Sequence, residues 1–286
     1  MFKCRSILAV MSATLLASGA LYAAPDPAAI AKIGSKSDVL VFSSPPRETA
    51  EAAKKLYQPI AEYLSKVIGK PVVYKYPRTF GVYRTEMING VYDIVFDGAH
   101  FIGYRIQKQQ HNALVKFPTE NRAWSVFVRK DEKAGSIAEL AGQTVCAQPP
   151  PTLGALVVMS QFDKDSSRQP LLVPVTKARE AIFQAVVAGH CTAGVLPATE
   201  LKPLDPEGAV RVLYQSQPIA DQGFSAGPRV SPEDQAKIVA ALLAPAAAGP
   251  TEGIRARFKG GDSLVRARNE EYIPFAELLR NEWGFF

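Results

Sequence analysis

Three histidines and three cysteines in 286 residues leave little from which to build a metal or nucleophile centre. His100, His111 and His190 stand at no zincin spacing, so the two-histidine helix of a metalloprotease is missing. The sequence has no P-loop, no G-x-G-x-x-G and no C-x-x-C, the marks of a triphosphate cradle, a dinucleotide site and a redox pair. No basic block with interleaved aromatics occurs either, which argues against nucleic acid as a partner. No enzyme activity, cofactor or metal is therefore expected. Hydrophobic residues at 47% and charged residues at 21% rule out a disordered tail, a collagen and a disulfide-dense miniprotein, and leave chain for two cores.

The longest apolar run, Ile7 to Leu21, lies behind Lys3 and Arg5 and falls short of the roughly 20 residues of a spanning helix. Small residues follow in Leu21-Tyr22-Ala23-Ala24, so residues 1–23 read as a secretory signal peptide cleaved near Ala23 or Ala24. Cys4 precedes the run, so no lipoprotein cysteine stands at the cleavage point. Cleavage lowers the formal charge from +6 to +4, an excess that only weakly favours small anions. Cys146 and Cys191 remain, in a compartment where disulfides persist.

After the leader, strand and helix patterns alternate. Val39 to Phe42 reads as a buried strand. Apolar residues from Ala53 to Ile68 recur at helical spacing until Gly69 and Pro71, with Pro59 predicting a kink or a late start. Val72 to Tyr76 and Asp93 to Phe96 follow as strands, with a short helix over 80–89 between them. A second unit begins after Trp124 to Arg129: a capping box at Ser136 and Glu139, strand Thr144 to Ala147, and strand Leu171 to Val175. Helix Ala178 to Ala188, strand Cys191 to Leu196 and strand Val210 to Tyr214 complete it. Helix, glycine, strand recurs at Asn89–Asp93 and Ala188–Thr192. These patterns imply an α/β protein of two similar lobes, each a mixed, mainly parallel sheet flanked by helices. A helical tail from Ser231, packed on the first lobe, would make the chain cross twice and leave a hinged cleft. The expected division is lobe 1 over 24–127 plus 222–286 and lobe 2 over 128–221.

Gly223-Phe224-Ser225-Ala226-Gly227 matches the G-x-S-x-G elbow of a serine hydrolase, but Pro228 follows it and no histidine lies downstream. It reads as a hinge or loop. Three loops lie at strand carboxyl ends and precede helices: Ser43 to Glu48, Asp97 to His100, and Gln148 to Gly154. Such positions suit an anion. Ser44, Asp97, His100 and Thr152 are the candidates there, and Arg47, Arg78 and Arg179 could clamp an oxyanion. Cys146 and Cys191 fall in strands that a doubly wound sheet can place side by side, so a disulfide is expected; two buried thiols are the alternative.

Five stretches resemble the periplasmic substrate-binding proteins of phosphonate, phosphate and phosphite ABC transporters. They are Lys55–Leu64, Asn89–Phe96, Val126–Asp131, Ser136–Val145 and Tyr214–Ile219. The resemblance implies a type II periplasmic-binding fold, a periplasmic location, a small anionic ligand and an inner-membrane ABC permease as partner. The protein is expected to work as a monomer. The family's Ser-Thr-Ser-Gly loop is here Pro150-Pro151-Thr152-Leu153-Gly154, Phe80 stands where the family often has a ligand tyrosine, and Arg179 where it often has a histidine. The expected site sets Thr152 and Arg179 across the cleft from Ser44, Arg47, Phe80 and His100. A sensory module read by a membrane receptor is the alternative, and an exported hydrolase using Ser225 is a third reading.

Overall fold

The computed structural model describes residues 38–118, 123–162, 168–176, 178–258, 260–261, 263–280, 282 and 284–286. The expected signal peptide lies outside them. Strand β1 (Leu40–Ser43) leads into helix α1 (Ala50–Ile68). The Thr49 hydroxyl accepts from the Ala52 amide at 3.3 Å and starts that helix. Gly69 ends it at φ +68°, a left-handed turn that glycine adopts without penalty. Ala53, Tyr57, Ile60, Ala61, Leu64 and Ile68 are its buried face, spaced by three, four and one along 3.6-residue turns. Pro59 forfeits one backbone bond, yet the helix runs through it from Ala50, so the late start does not occur.

The chain continues through β2 (Val72–Tyr74), α2 (Phe80–Ile88), β3 (Ile94–Asp97), α3 (Ala99–Gln109) and β4 (Asn112–Lys116). Sequence patterning left α3 and β4 unmarked, because the buried face of α3 includes His100 and Arg105 and breaks the apolar rhythm. The second unit holds β5 (Trp124–Arg129), β6 (Thr144–Ala147), α4 (Leu153–Met159), β7 (Leu171–Pro174), α5 (Glu180–Val187), β8 (Ala193–Pro197), α6 (Ala198–Leu204) and β9 (Val210–Gln215). Strand β10 (Gly223–Ala226), helices α7 (Pro232–Leu243) and α8 (Ala248–Phe258), and strand β11 (Val265–Arg266) complete the described strands and α-helices.

Two sheets form, in the orders β11-β4-β10-β3-β1-β2 and β7-β6-β8-β5-β9. Both are mixed. Strands β2, β1 and β3 are mutually parallel, as are β7, β6 and β8, while β10 and β5 join antiparallel to them. Trp124 to Phe127 pair with β8 and β9, so they sit in the second sheet, ahead of the division expected at 128. Strand β5 is buried on both faces. Val126 and Val128 join one core with Val145, Val157 and Val195, and Phe127 joins another with Ile182 and Leu196. Helices α7 and α8 pack on the first sheet, where Ile238, Leu242 and Ile254 meet Leu40, Phe42, Leu64 and Phe96.

The segment at Gly223 to Ala226 is neither hinge nor loop. It is a fully buried central strand between β3 and β4, with Phe224 stacked on Phe42. Ser225 Oγ lies 3.2 Å from His111 Nδ1, and both residues are enclosed. Ser136 does not make the reciprocal capping box. Its hydroxyl donates to Glu139 Oε1 at 2.9 Å, and the other Glu139 oxygen accepts from the Gly135 amide at 3.2 Å, ahead of a short 3-10 turn. Cys146 and Cys191 are disulfide-bonded, with Cα atoms 5.7 Å apart. Their strands are neighbours as expected, Cys146 lying in β6 and Cys191 two residues ahead of β8.

Candidate functional site

The carboxyl ends of the parallel strands in both sheets open onto one cavity of about 680 Å³. The β1 loop brings Arg47, the start of α3 brings His100, and α2 brings Phe80. From the other sheet come Trp124 at the start of β5, Gln148 and Thr152 after β6, and Arg179 at the start of α5. Of the residues expected from sequence, Arg47, Phe80, His100, Thr152 and Arg179 share this cavity. Ser44, Asp97 and Arg78 do not line it.

Each exception has a physical reason. Ser44 is buried, with its hydroxyl 3.0 Å from the Tyr74 hydroxyl. Asp97 is buried beneath the site, where it accepts from the Tyr83 hydroxyl and from the Gly98 amide at 3.0 Å and lies 3.5 Å from Arg105 Nε. Burial raises the Asp97 pKa, against the charges of Arg105 and Arg47, which pull it down. Arg105 also donates to the Tyr83 hydroxyl at 2.9 Å, so this network fixes the floor from which Gly98 and His100 rise. Arg78 is exposed, ahead of α2.

The two cavity arginines differ. Arg47 Nη1 is buried without a hydrogen-bond partner, while its guanidinium sits 5.5 Å from the centre of the Phe258 ring. Arg179 is engaged: its Nη1 pairs with Glu200, its Nε donates to Gln148 Oε1 at 3.3 Å, and its guanidinium lies over Trp124 at 5.5 Å. Thr152 donates its hydroxyl proton to the Gln148 carbonyl at 2.8 Å, which leaves only its lone pairs for a ligand. His100 Nε2 is 3.1 Å from the Pro151 carbonyl, a contact that joins α3 of one sheet to the loop of the other; the Pro150–Pro151 bond is cis. Burial first, and then the charge of Arg47, push the His100 pKa down to about 3, so the ring is neutral near pH 7.

Sequence reasoning missed Trp124, Glu200, Asp221, Gln222, Arg257 and Phe258, all of which line the cavity. Glu200 follows the carboxyl end of β8, so the rule that selected the other loops would have found it. Arg257 and Phe258 close α8 and reach the site only through packing of the tail, which no local pattern announces. Gly154 has a legible cause after the fact. A Cβ there would lie 2.6 Å from a Trp124 ring carbon, so the helix can lie against the indole only without a side chain.

Residues 42–272 match the family described as ABC transporter, phosphonate, periplasmic substrate-binding protein. The chain belongs to this family. The match covers most of the sequence, and membership makes the protein a solute-binding component of a transporter. Solved structures share the fold at low identity. A Xanthomonas citri protein, XAC2383, bound to ATP has a TM-score of 0.64 at 14% identity, covering 86% of this chain and 99% of that one. PhnD1 from Prochlorococcus marinus in complex with methylphosphonate gives 0.61 at 14% identity, covering 85% and 97%. The binding-protein component of an ABC phosphonate transporter from Pseudomonas aeruginosa gives 0.58 at 15%, covering 84% and 85%. Comparison with curated protein sequences finds no match. These structures have the two-lobed periplasmic-binding fold, as does this chain.

Proposed function

We propose that the protein captures a small anion in the cavity between its two sheets and hands it to an ABC permease of the inner membrane. The observation that carries this is Arg47, which lines a cavity walled by elements of both lobes and whose buried Nη1 has no hydrogen-bond partner. A buried cationic donor left unpaired is costly, and a ligand oxyanion would satisfy it. Arg179 is met by Glu200, so its part is to stack on Trp124 and set the wall rather than to clamp the anion directly. His100 and Phe80 adjoin the same space from the first sheet, and Thr152 borders it from the second.

The lobes divide where the strands change sheet, between β4 and β5 and between β9 and β10, and these crossings form the hinge. Contacts to both lobes exist only in the closed form, so ligand binding shifts the population toward closure. The chain acts as an exported monomer whose leader is residues 1–23. Nothing in the site favours the sensory alternative over transport. A thermal-shift screen over phosphate, phosphite, phosphonates, sulfonates and carboxylates tests the reading. A ligand at one hundred times its Kd adds about 2.7 kcal/mol of stability. A screen in which no anion raises the melting temperature refutes it.

A further inference from the structure

His100 asks something of the ligand that an arginine does not. A carbonyl oxygen can only accept, so the 3.1 Å contact with Pro151 requires Nε2 to carry the ring proton. Nδ1 is then a bare lone pair. It is buried, it has no partner, and the residue around it is 2% exposed. A Cβ built on Gly98 would lie 3.3 Å from this Nδ1 and 3.6 Å from Arg47 Nη2, so acceptor and cation are neighbours beside Gly98. The second proton that would turn Nδ1 into a donor is barred by burial and by the adjacent guanidinium.

Resting on the anion-capture reading, we propose that the ligand is an oxyanion that retains one proton, accepting from Arg47 and donating that proton to His100 Nδ1. A singly ionised phosphonate or phosphate group has this pattern. A sulfonate, a carboxylate near neutral pH or a fully ionised phosphonate has only acceptors, and would leave the buried lone pair facing a second lone pair. The site thereby reads the protonation state of its ligand as well as its charge. The other charged groups of the cavity are Arg179, paired with Glu200, together with Glu180, Asp221 and Arg257. Below the site, Asp97 is tied to Arg105 and Tyr83. His111 is held neutral by burial away from the lining, and His190 is exposed. No histidine of the cavity titrates near neutral pH, so the ligand's own proton dominates there.

Titration calorimetry of the full mature chain with methylphosphonate and methanesulfonate separates the two patterns at nearly constant shape. Methylphosphonate should bind at least about tenfold tighter at pH 6. Its apparent Kd should rise about tenfold per pH unit above its second ionisation, which falls near neutrality as for phosphate esters. His100→Phe keeps the ring against Phe101, removes the acceptor, and should collapse the preference toward equality. If that variant does not fold, the two-ligand comparison and the pH profile on the native protein decide alone. Equal affinity for the two anions, a flat pH profile, or a screen won by a fully ionised carboxylate or sulfonate overturns the inference while anion capture stands. Binding of no anion at all removes the reading beneath it, and the inference with it.

Discussion

Breaking the Cys146–Cys191 bond should destabilise the second lobe selectively. The bridge closes a loop of 45 residue steps, for which the chain-entropy relation gives about 4 kcal/mol at 25 °C. Both cysteines are buried, at 1% and 2% exposure, among Phe127, Ile182, Phe183 and Val186. The freed thiols would remain as small apolar groups, so little packing is lost and the entropy term dominates. For a protein of this size, 1 kcal/mol corresponds to about 2–4 °C in Tm, which sets the expected fall at about 8–16 °C. Calorimetry of the native protein and of the Cys146→Ala/Cys191→Ala pair measures it, with any two transitions resolved because lobes can melt apart. The first sheet contains neither cysteine, so its transition should move far less. A fall below about 1 kcal/mol, or an equal shift in both transitions, would refute the loop argument.

Four further outcomes follow from the same geometry. Arg47→Ala should weaken anion binding by about 1.5–3 kcal/mol in calorimetric titration, the range for a charged hydrogen bond; an unchanged Kd removes Arg47 from the site. Glu200→Gln releases the partly exposed Arg179 from its pair and should tighten anion binding by about 0.5–1 kcal/mol, visible as a lower Kd in low salt. Gly154→Ala pushes a methyl into the Trp124 ring and should cost about 1–3 kcal/mol of stability and lower affinity, read by melting and by indole fluorescence. Acid should destabilise the apo protein from about pH 6.5 downward. The unfolded chain takes up protons on His100 and His111 that the native state refuses, which costs up to about 1.4 kcal/mol per pH unit for each ring until the native pKa is reached. Melting of His100→Phe across pH 4–8 should show a shallower slope.

The elements with uniform patterns were legible. The apolar face of α1 and the strands β1, β5 and β6 declare themselves, since burial on a repeating face demands a repeating sequence. Helix α3 was not, because His100 and Arg105 occupy its buried face and are satisfied by Pro151 and Tyr83, partners distant in sequence. Strand β10 carried glycines and a serine that read as a turn, and only its place between β3 and β4 makes it a strand. The site was half legible for a related reason. Strand ends mark where ligands sit, which located Arg47, His100, Thr152 and Arg179. Whether an arginine is open or already paired depends on Glu200 and Phe258, which no local spacing connects to it.

The position of β10 also bears on how the chain matures after export. A polypeptide that emerges amino end first presents β3 and β4 early, but the strand that belongs between them is residues 223–226. Until the whole second lobe has crossed, β3 offers an unpaired, fully apolar edge of Ile94, Val95 and Phe96. Unpaired edges of this kind invite pairing with other chains, and the long separation slows their correct closure. The second lobe faces no such delay, because all five of its strands lie between residues 124 and 215. Completion of the amino-terminal lobe therefore waits on the lobe that follows it, and the interval is when a nascent molecule is most exposed to aggregation and to holding chaperones.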